Sequence, residues 1–275
     1  MTHAAAAPAA AADGGGRRVG VFDSGVGGLT VLAALRRRLP AAQLLYVADS
    51  AFAPYGERDA AYVRARSMAL SAFLLEQGAQ AVVVACNTAT ALAIAELRRH
   101  WPQVPFIGIE PAVKPALAAA HGAPVGVLAT PATLASAKFR KLLDTHGGGA
   151  PLLLQPCPGL AEAIETQGPD APRTARLVER FCAPLREAGC ATIVLGCTHY
   201  PLVATALRAA LGNVELVDPA DAVAAQTARI LSTLPASAAP GPALQAWSNG
   251  DLGALQRVAL ACGLGALEAR AIAAP

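Results

Sequence analysis

Short runs of Val, Ile and Leu recur along the chain between longer segments in which Ala, Leu and Arg repeat with helical character. Buried parallel strands alternating with covering helices produce this pattern. The strand-like runs are Arg18–Phe22, Leu44–Ala48, Ala81–Ala85, Phe106–Ile109, Pro124–Leu128, Leu152–Gln155, Thr192–Leu195 and Val214–Val217, with helical stretches such as Arg58–Gln77 and Arg173–Ala188 between them. They predict an α/β protein built of αβα layers.

The pattern also repeats. "AVVVACNTATALAIAELRR", from Ala81, aligns with "ATIVLGCTHYPLVATALRA", from Ala191, when Cys86 is set against Cys197, and "GVFDSGVGGLTVL" from Gly20 aligns with "GVLATPATLASAK" from Gly126. Each pair reads as a strand, a polar turn and a helix. The repetition predicts two pseudo-symmetric lobes with mainly parallel sheets and an active-site cleft between them. Ligands of open α/β sheets bind outside the carboxyl ends of the strands, so both cysteine turns are expected to face that cleft.

Composition narrows the function classes. The 275 residues suffice for two ordinary domains, and a net charge of +3 gives no basic face of the kind nucleic acid requires. Gly, Pro, Arg or Glu interrupts every apolar stretch before it reaches the length of a membrane span, so no membrane partner is expected. "MTHAAAAPAAAADGGGRR" lacks the basic start and Leu/Val-rich middle of a secretion signal, and residues 1–17 read as a disordered extension. The six cysteines are widely spaced without a CxxC pair, which predicts free thiols in a reducing cytoplasm and no metal site.

Polar residues directly after Cys86 and Cys197 set these two apart from cysteines that merely fill a core. A thiol at a helix N-terminus meets backbone N–H groups that favour an anion, either its own thiolate or a substrate carboxylate. Thr88 and Thr198 can each cap the helix or bind a ligand. One thiol from each lobe suits proton removal from one face of a carbon and delivery to the other, which inverts its configuration. At an ordinary thiol pKa of about 8.5, holding one thiolate near pH 7 costs about 2 kcal/mol. In "VFDSGVGGLTVL", Asp23 and Ser24 end the first strand, while Gly25, Gly27 and Gly28 let the backbone approach a ligand. Thr30 stands where a dinucleotide fingerprint has its third glycine. Asp23 and Asp49 can alternatively cap their turns, Pro54-Tyr55-Gly56 can present backbone and a phenol to the cleft, and Glu162 and Glu165 read as an exposed helix face.

"FDSGVGGLTVL", "ADSAFAPYGERD", "VVACNTATA", "GIEPAVKPA", "LGCTHYPL" and "LVDPADAVA", in this order and spacing, resemble the glutamate racemases of the cofactor-independent aspartate/glutamate racemase superfamily. The similarity runs from about Arg18 to the "SNGD" at Ser248–Asp251. It implies interconversion of L- and D-glutamate without cofactor or metal, supplying D-glutamate for peptidoglycan, in a cytoplasmic enzyme that forms a homodimer. It further implies that Cys86 takes the α-proton of D-glutamate and Cys197 that of L-glutamate, with Asp23 and His199 as their respective partners. Asp23, Ser24, Tyr55, Gly56, Asn87, Thr88, Thr198 and His199 would bind substrate, with Glu165 as a further carboxylate lining the site. The family's discontinuous path implies a first lobe of residues 18–110 plus 213–275 and a second of 111–212.

Overall fold

A computed structural model describes residues 16–236, 241 and 243–273. Most of the expected extension, residues 1–15, lies outside them. Arg17, at its end, belongs to the fold, its Nε donating to the Leu234 carbonyl at 2.8 Å. The described residues contain ten strands: β1 Arg18–Asp23, β2 Gln43–Ala48, β3 Ala81–Val84, β4 Phe106–Gly108, β5 Val125–Ala129, β6 Leu152–Pro156, β7 Thr192–Gly196, β8 Glu215–Val217, β9 Leu244–Ser248 and β10 Ala269–Ala271. They form one sheet ordered β10-β9-β2-β1-β3-β4 and a second ordered β6-β5-β7-β8, and every pairing is parallel.

Parallel pairing requires a crossover between strands, and the crossover helices cover both faces of each sheet. Side-chain alternation therefore feeds two apolar layers. In β1, Val19 and Val21 join Leu29, Leu32 and Leu35 on one side, while Phe22 joins Leu70, Leu74 and Leu97 on the other. β7 divides likewise, sending Ile193 and Leu195 toward Phe181 and Leu185, and Val194 toward Val113 and Phe139. The long helix expected over Arg58–Gln77 spans Ala60–Glu76 and starts at Asp59, whose carboxylate caps it by accepting from the Tyr62 N–H at 2.8 Å. Among the described residues no helix is long and apolar enough to cross a membrane.

The two sheets share one topology. β2-β1-β3-β4 and β6-β5-β7-β8 each run second, first, third, fourth in chain order, as the aligned repeats require. β8 is thus the counterpart of β4, and it pairs with β7 from Thr192↔Glu215 to Val194↔Val217. This pairing carries the second lobe past the return near 213 that the resemblance implies. Beyond it, the helix Ala220–Leu231 packs Val223 and Leu231 into the same core as Leu29 and Leu35. We therefore place the return to the first lobe at Asp218-Pro219. β9 and β10 then extend the first sheet beyond β2.

Candidate active site

Within the first sheet, β1 lies between β2 and β3, with Asp23 opposite Ala48 and Phe22 opposite Val84. The carboxyl ends of these strands consequently deliver Asp49, Asp23-Ser24 and Cys86 side by side. In the second sheet Ala129 of β5 lies opposite Gly196 of β7, which brings Thr130 beside Cys197. Successive crossovers leave β1 and β5 in opposite directions along their sheets. Both thiols therefore sit at a topological switch point, where a crevice opens.

Cys86 caps the helix Asn87–His100, its Sγ accepting from the Ala89 N–H at 3.4 Å, and the thiol contacts Ser24 Oγ at 3.6 Å. Burial pushes its pKa up to about 12, with the nearby Asp23 and Cys197 charges adding to the rise. The inexpensive thiolate expected from an ordinary thiol does not apply at this position. Asp23 is fully buried and accepts from the Gly25 N–H at 2.9 Å and the Thr198 hydroxyl at 3.0 Å. Desolvation raises its pKa to about 6, although the His199 charge and these hydrogen bonds pull it down.

Cys197 is placed differently. Four residues in a 3₁₀ turn, Tyr200–Val203, separate its loop from the helix Ala204–Leu211, so the helix N-terminus expected beside this thiol is displaced. His199 takes its place: Nδ1 lies 3.8 Å from Cys197 Sγ, and Nε2 lies 2.6 Å from Glu165 Oε2. Burial opposes charge on His199, but Cys197 and Glu165 outweigh it and raise the imidazole pKa well above its ordinary value. Burial likewise works against an ionised Glu165. The His199 hydrogen bond and charge, with the Val26 N–H at 2.8 Å, reverse that and lower its pKa. The result is a buried imidazole held between a sulfur and a carboxylate, neighbours that favour its charged form.

Glu165 does not lie on an exposed face. It is buried against the other lobe, whereas Glu162, three residues earlier, pairs with Arg173 at the surface at 2.7 Å. The glycines of "DSGVGG" explain how it fits. A Cβ at Gly25 would stand 2.3 Å from the Glu165 carboxylate, and one at Gly27 would stand 2.6 Å from His199 Nδ1. These glycines thus let the loop approach the opposite lobe, where a ligand had been expected.

Neither threonine caps a helix. Thr198 serves Asp23, and Thr88 Oγ1 lies 3.0 Å from Thr130 Oγ1 and 3.4 Å from Thr133 Oγ1. Both polar side-chain atoms of Asn87 are buried without a partner among the described residues. A buried amide left unpaired is costly, and a ligand with complementary groups would relieve that cost. The Tyr55 phenol does not face the cleft but donates to buried Asp49, whose carboxylate caps no helix. Gly56 is left facing Thr130. Thr130 and Thr133 were not anticipated, although aligning Gly20 with Gly126 places Thr130 opposite Ser24.

Residues 29–227 match a family model described as Asp/Glu/Hydantoin racemase. A glutamate racemase of Ectopseudomonas mendocina is 50% identical over 242 residues, covering 87% of this chain and 92% of that protein. Another, from Pseudomonas aeruginosa, is 54% identical over 215 residues, covering 78% and 81% respectively. The crystal structure of Escherichia coli glutamate racemase in complex with L-glutamate and the activator UDP-MurNAc-ala superposes with a TM-score of 0.82 at 30% identity, covering 93% of this chain and 97% of that one.

Proposed function

The chain belongs to the Asp/Glu/Hydantoin racemase family, and from that premise we propose that it interconverts L- and D-glutamate by two-base proton transfer between Cys86 and Cys197. One observation carries the reading: Cys86 and Cys197 stand at equivalent strand ends of two sheets with one strand order, and Thr198, next to Cys197, donates to Asp23 of the lobe that holds Cys86. A thiol on each side of one carbon can act as one thiolate and one thiol, the combination an inversion consumes and regenerates.

From D-glutamate, Cys86 as thiolate takes the α-proton while the Cys197 thiol delivers its own proton to the opposite face. From L-glutamate the roles reverse. Asp23 exchanges protons with Cys86, and His199, steadied by Glu165, does so with Cys197. The raised Cys86 pKa makes its thiolate scarce but also a stronger base toward a carbon acid. Thr88, Thr198 and the unpaired amide of Asn87 supply polar contacts to the amino-acid head, together with Ser24 and the Tyr55-Gly56 backbone. We place the product, D-glutamate, in cytoplasmic peptidoglycan synthesis and the working enzyme as a homodimer.

The test is incubation of the purified protein with each enantiomer in deuterated water, without cofactor, following α-deuterium by mass and inversion by circular dichroism. Deuterium and inversion should appear together from both enantiomers. No exchange from either in well-folded protein would sink the assignment, and faster turnover of aspartate than of glutamate would move it to a sister activity. A second expectation concerns the loop between the lobes. Gly25→Ala should lower kcat/KM at least about tenfold, the loss of one or more charge-assisted hydrogen bonds at Glu165. Gly25 has an extended φ of −171° that alanine readily adopts, so any loss of stability should come from displacing the buried Glu165 carboxylate and not from the backbone. Unchanged kinetics in Gly25→Ala would separate the Glu165 contact from catalysis.

A further inference from the structure

The carboxyl end of β2 holds a third buried carboxylate, one that the proton transfers do not use. Asp49 Oδ1 accepts from Arg66 Nη2 at 2.7 Å and Asn249 Nδ2 at 2.6 Å, while Oδ2 accepts from Arg66 Nε at 3.0 Å and from the Tyr55 hydroxyl. The guanidinium of Arg66 also lies 3.8 Å from the Phe52 ring centroid. Asn249 uses its remaining oxygen to accept from the Ala51 N–H at 2.9 Å. This accounts for "SNGD", which the proton-transfer chemistry leaves without a role. A buried carboxylate with four charge-assisted or short contacts fixes its partners in one geometry.

Those partners bracket the turn after β2. Tyr55 holds it from within, Asn249 holds its first residues, and Gly56 at its crest lies so close to the second lobe that a Cβ would meet Thr130 Cγ2 at 2.7 Å. Thr130 in turn contacts Thr88, and the Asp49 N–H donates to the Asp23 carbonyl at 3.0 Å. Asp49 is therefore tied directly to the backbone beneath one catalytic residue and, through the turn, to the polar contacts beside the other lobe.

We propose that Asp49 is a positioning residue, whose bonds to Tyr55, Arg66 and Asn249 seat the Pro54–Gly56 turn against Thr130 and so set the depth of the substrate pocket. The proposal rests on the glutamate reading for its kinetic consequence, but the ordering of the turn is measurable without turnover. Tyr55→Phe removes one hydroxyl while keeping the ring that packs in the cluster of Cys86, and Asn249→Ala removes one amide. Each should raise KM for glutamate about tenfold with kcat within about twofold, since a seat that binds ground state and transition state alike acts on KM. Arg66→Lys should behave similarly, because an ammonium cannot reproduce the two-pronged contact. Hydrogen exchange should quicken at the amides of residues 55–58 in each variant and stay at wild-type rates in β1 and β3. KM within about twofold of wild type in all three variants would overturn the proposal. So would a KM rise with wild-type exchange at 55–58, which would mean direct contact with substrate in place of positioning. If the unmodified protein shows no racemisation, the activity reading fails on that result, and the exchange rates still decide whether Asp49 orders the turn.

Discussion

Cys197→Ala should remain folded and lose racemisation in both directions. In the proposed scheme each direction passes a proton through both thiols, so removing one face's acid or base leaves no route to inversion. General acid–base catalysis by one positioned group contributes roughly 10²–10⁴-fold, and a loss of at least about 10³ is expected where that group is also the only proton donor on its face. Replacement by alanine removes a sulfur from a small loop site and leaves the Glu165–His199 pair in place. Circular dichroism from each pure enantiomer measures the loss, with thermal unfolding as the fold control. Cys86→Ala should give the same result from the other face. Cys157, Cys182 and Cys190 fill the apolar layer around Phe181 and Leu185 that Cys197 also borders, and Cys262 packs against the core of the first lobe. Their alanine variants should keep turnover within a few-fold of wild type. Near-normal inversion by Cys197→Ala would rule out the two-base scheme.

Asp23→Asn should make the protein more stable near pH 7.5 while reducing its activity. Burial raises this carboxyl from 3.8 to about 6, so the folded state binds the proton more tightly than the unfolded chain does. The stabilisation this gives is fully present below pH 3.8 and is lost as pH rises through about 6; above that the buried charge is a standing penalty. The interval corresponds to roughly 3 kcal/mol. Asparagine keeps an oxygen for the Gly25 N–H and turns an amide toward the Thr198 hydroxyl, which can accept as well as donate. Denaturant unfolding should therefore show the variant ahead at pH 7.5 and level with wild type near pH 4. In kinetics, kcat/KM of wild type should fall as pH drops below about 6, because protonated Asp23 can no longer take a proton from Cys86. The variant should lack this limb and run about 10²-fold or more slower at pH 7.5. A less stable variant at pH 7.5, or one that retains the limb, would assign the titration to another group.

The sequence made some parts of this arrangement legible and left others hidden, for identifiable reasons. β1 through β8 coincide with runs of Val, Ile and Leu, because the central strands are covered on both faces and even the partly exposed edge strands β6 and β8 keep an apolar run. β9 and β10 escaped notice: "LQAWS" and "ARA" are short, carry polar residues and sit at or beside a sheet edge. Cys86 and Cys197 stood out because a repeated pattern compares the chain with itself. Glu165 had no such signal. It and Glu162 are three residues apart on one amphipathic helix, and only the glycine loop of the opposite lobe makes one buried and leaves the other at the surface. Asp49 is a similar case, since of its partners only Tyr55 lies near it in sequence, six residues on, while Arg66 and Asn249 lie 17 and 200 residues away.

The strand order of the first sheet also dictates a sequence of events during synthesis. β2 cannot acquire its outer neighbour until residues 244–248 have been made, by which time the whole second lobe, a continuous stretch, has already been synthesised. That lobe can fold first as a unit, whereas the half-built first lobe waits with the edge of β2 unpaired, the kind of surface on which chains aggregate. Asn249, arriving with β9, then closes both the edge and the bonds around Asp49. A nascent chain shortened before residue 244 should thus contain both thiols and a folded second lobe, yet be recovered mainly as aggregate.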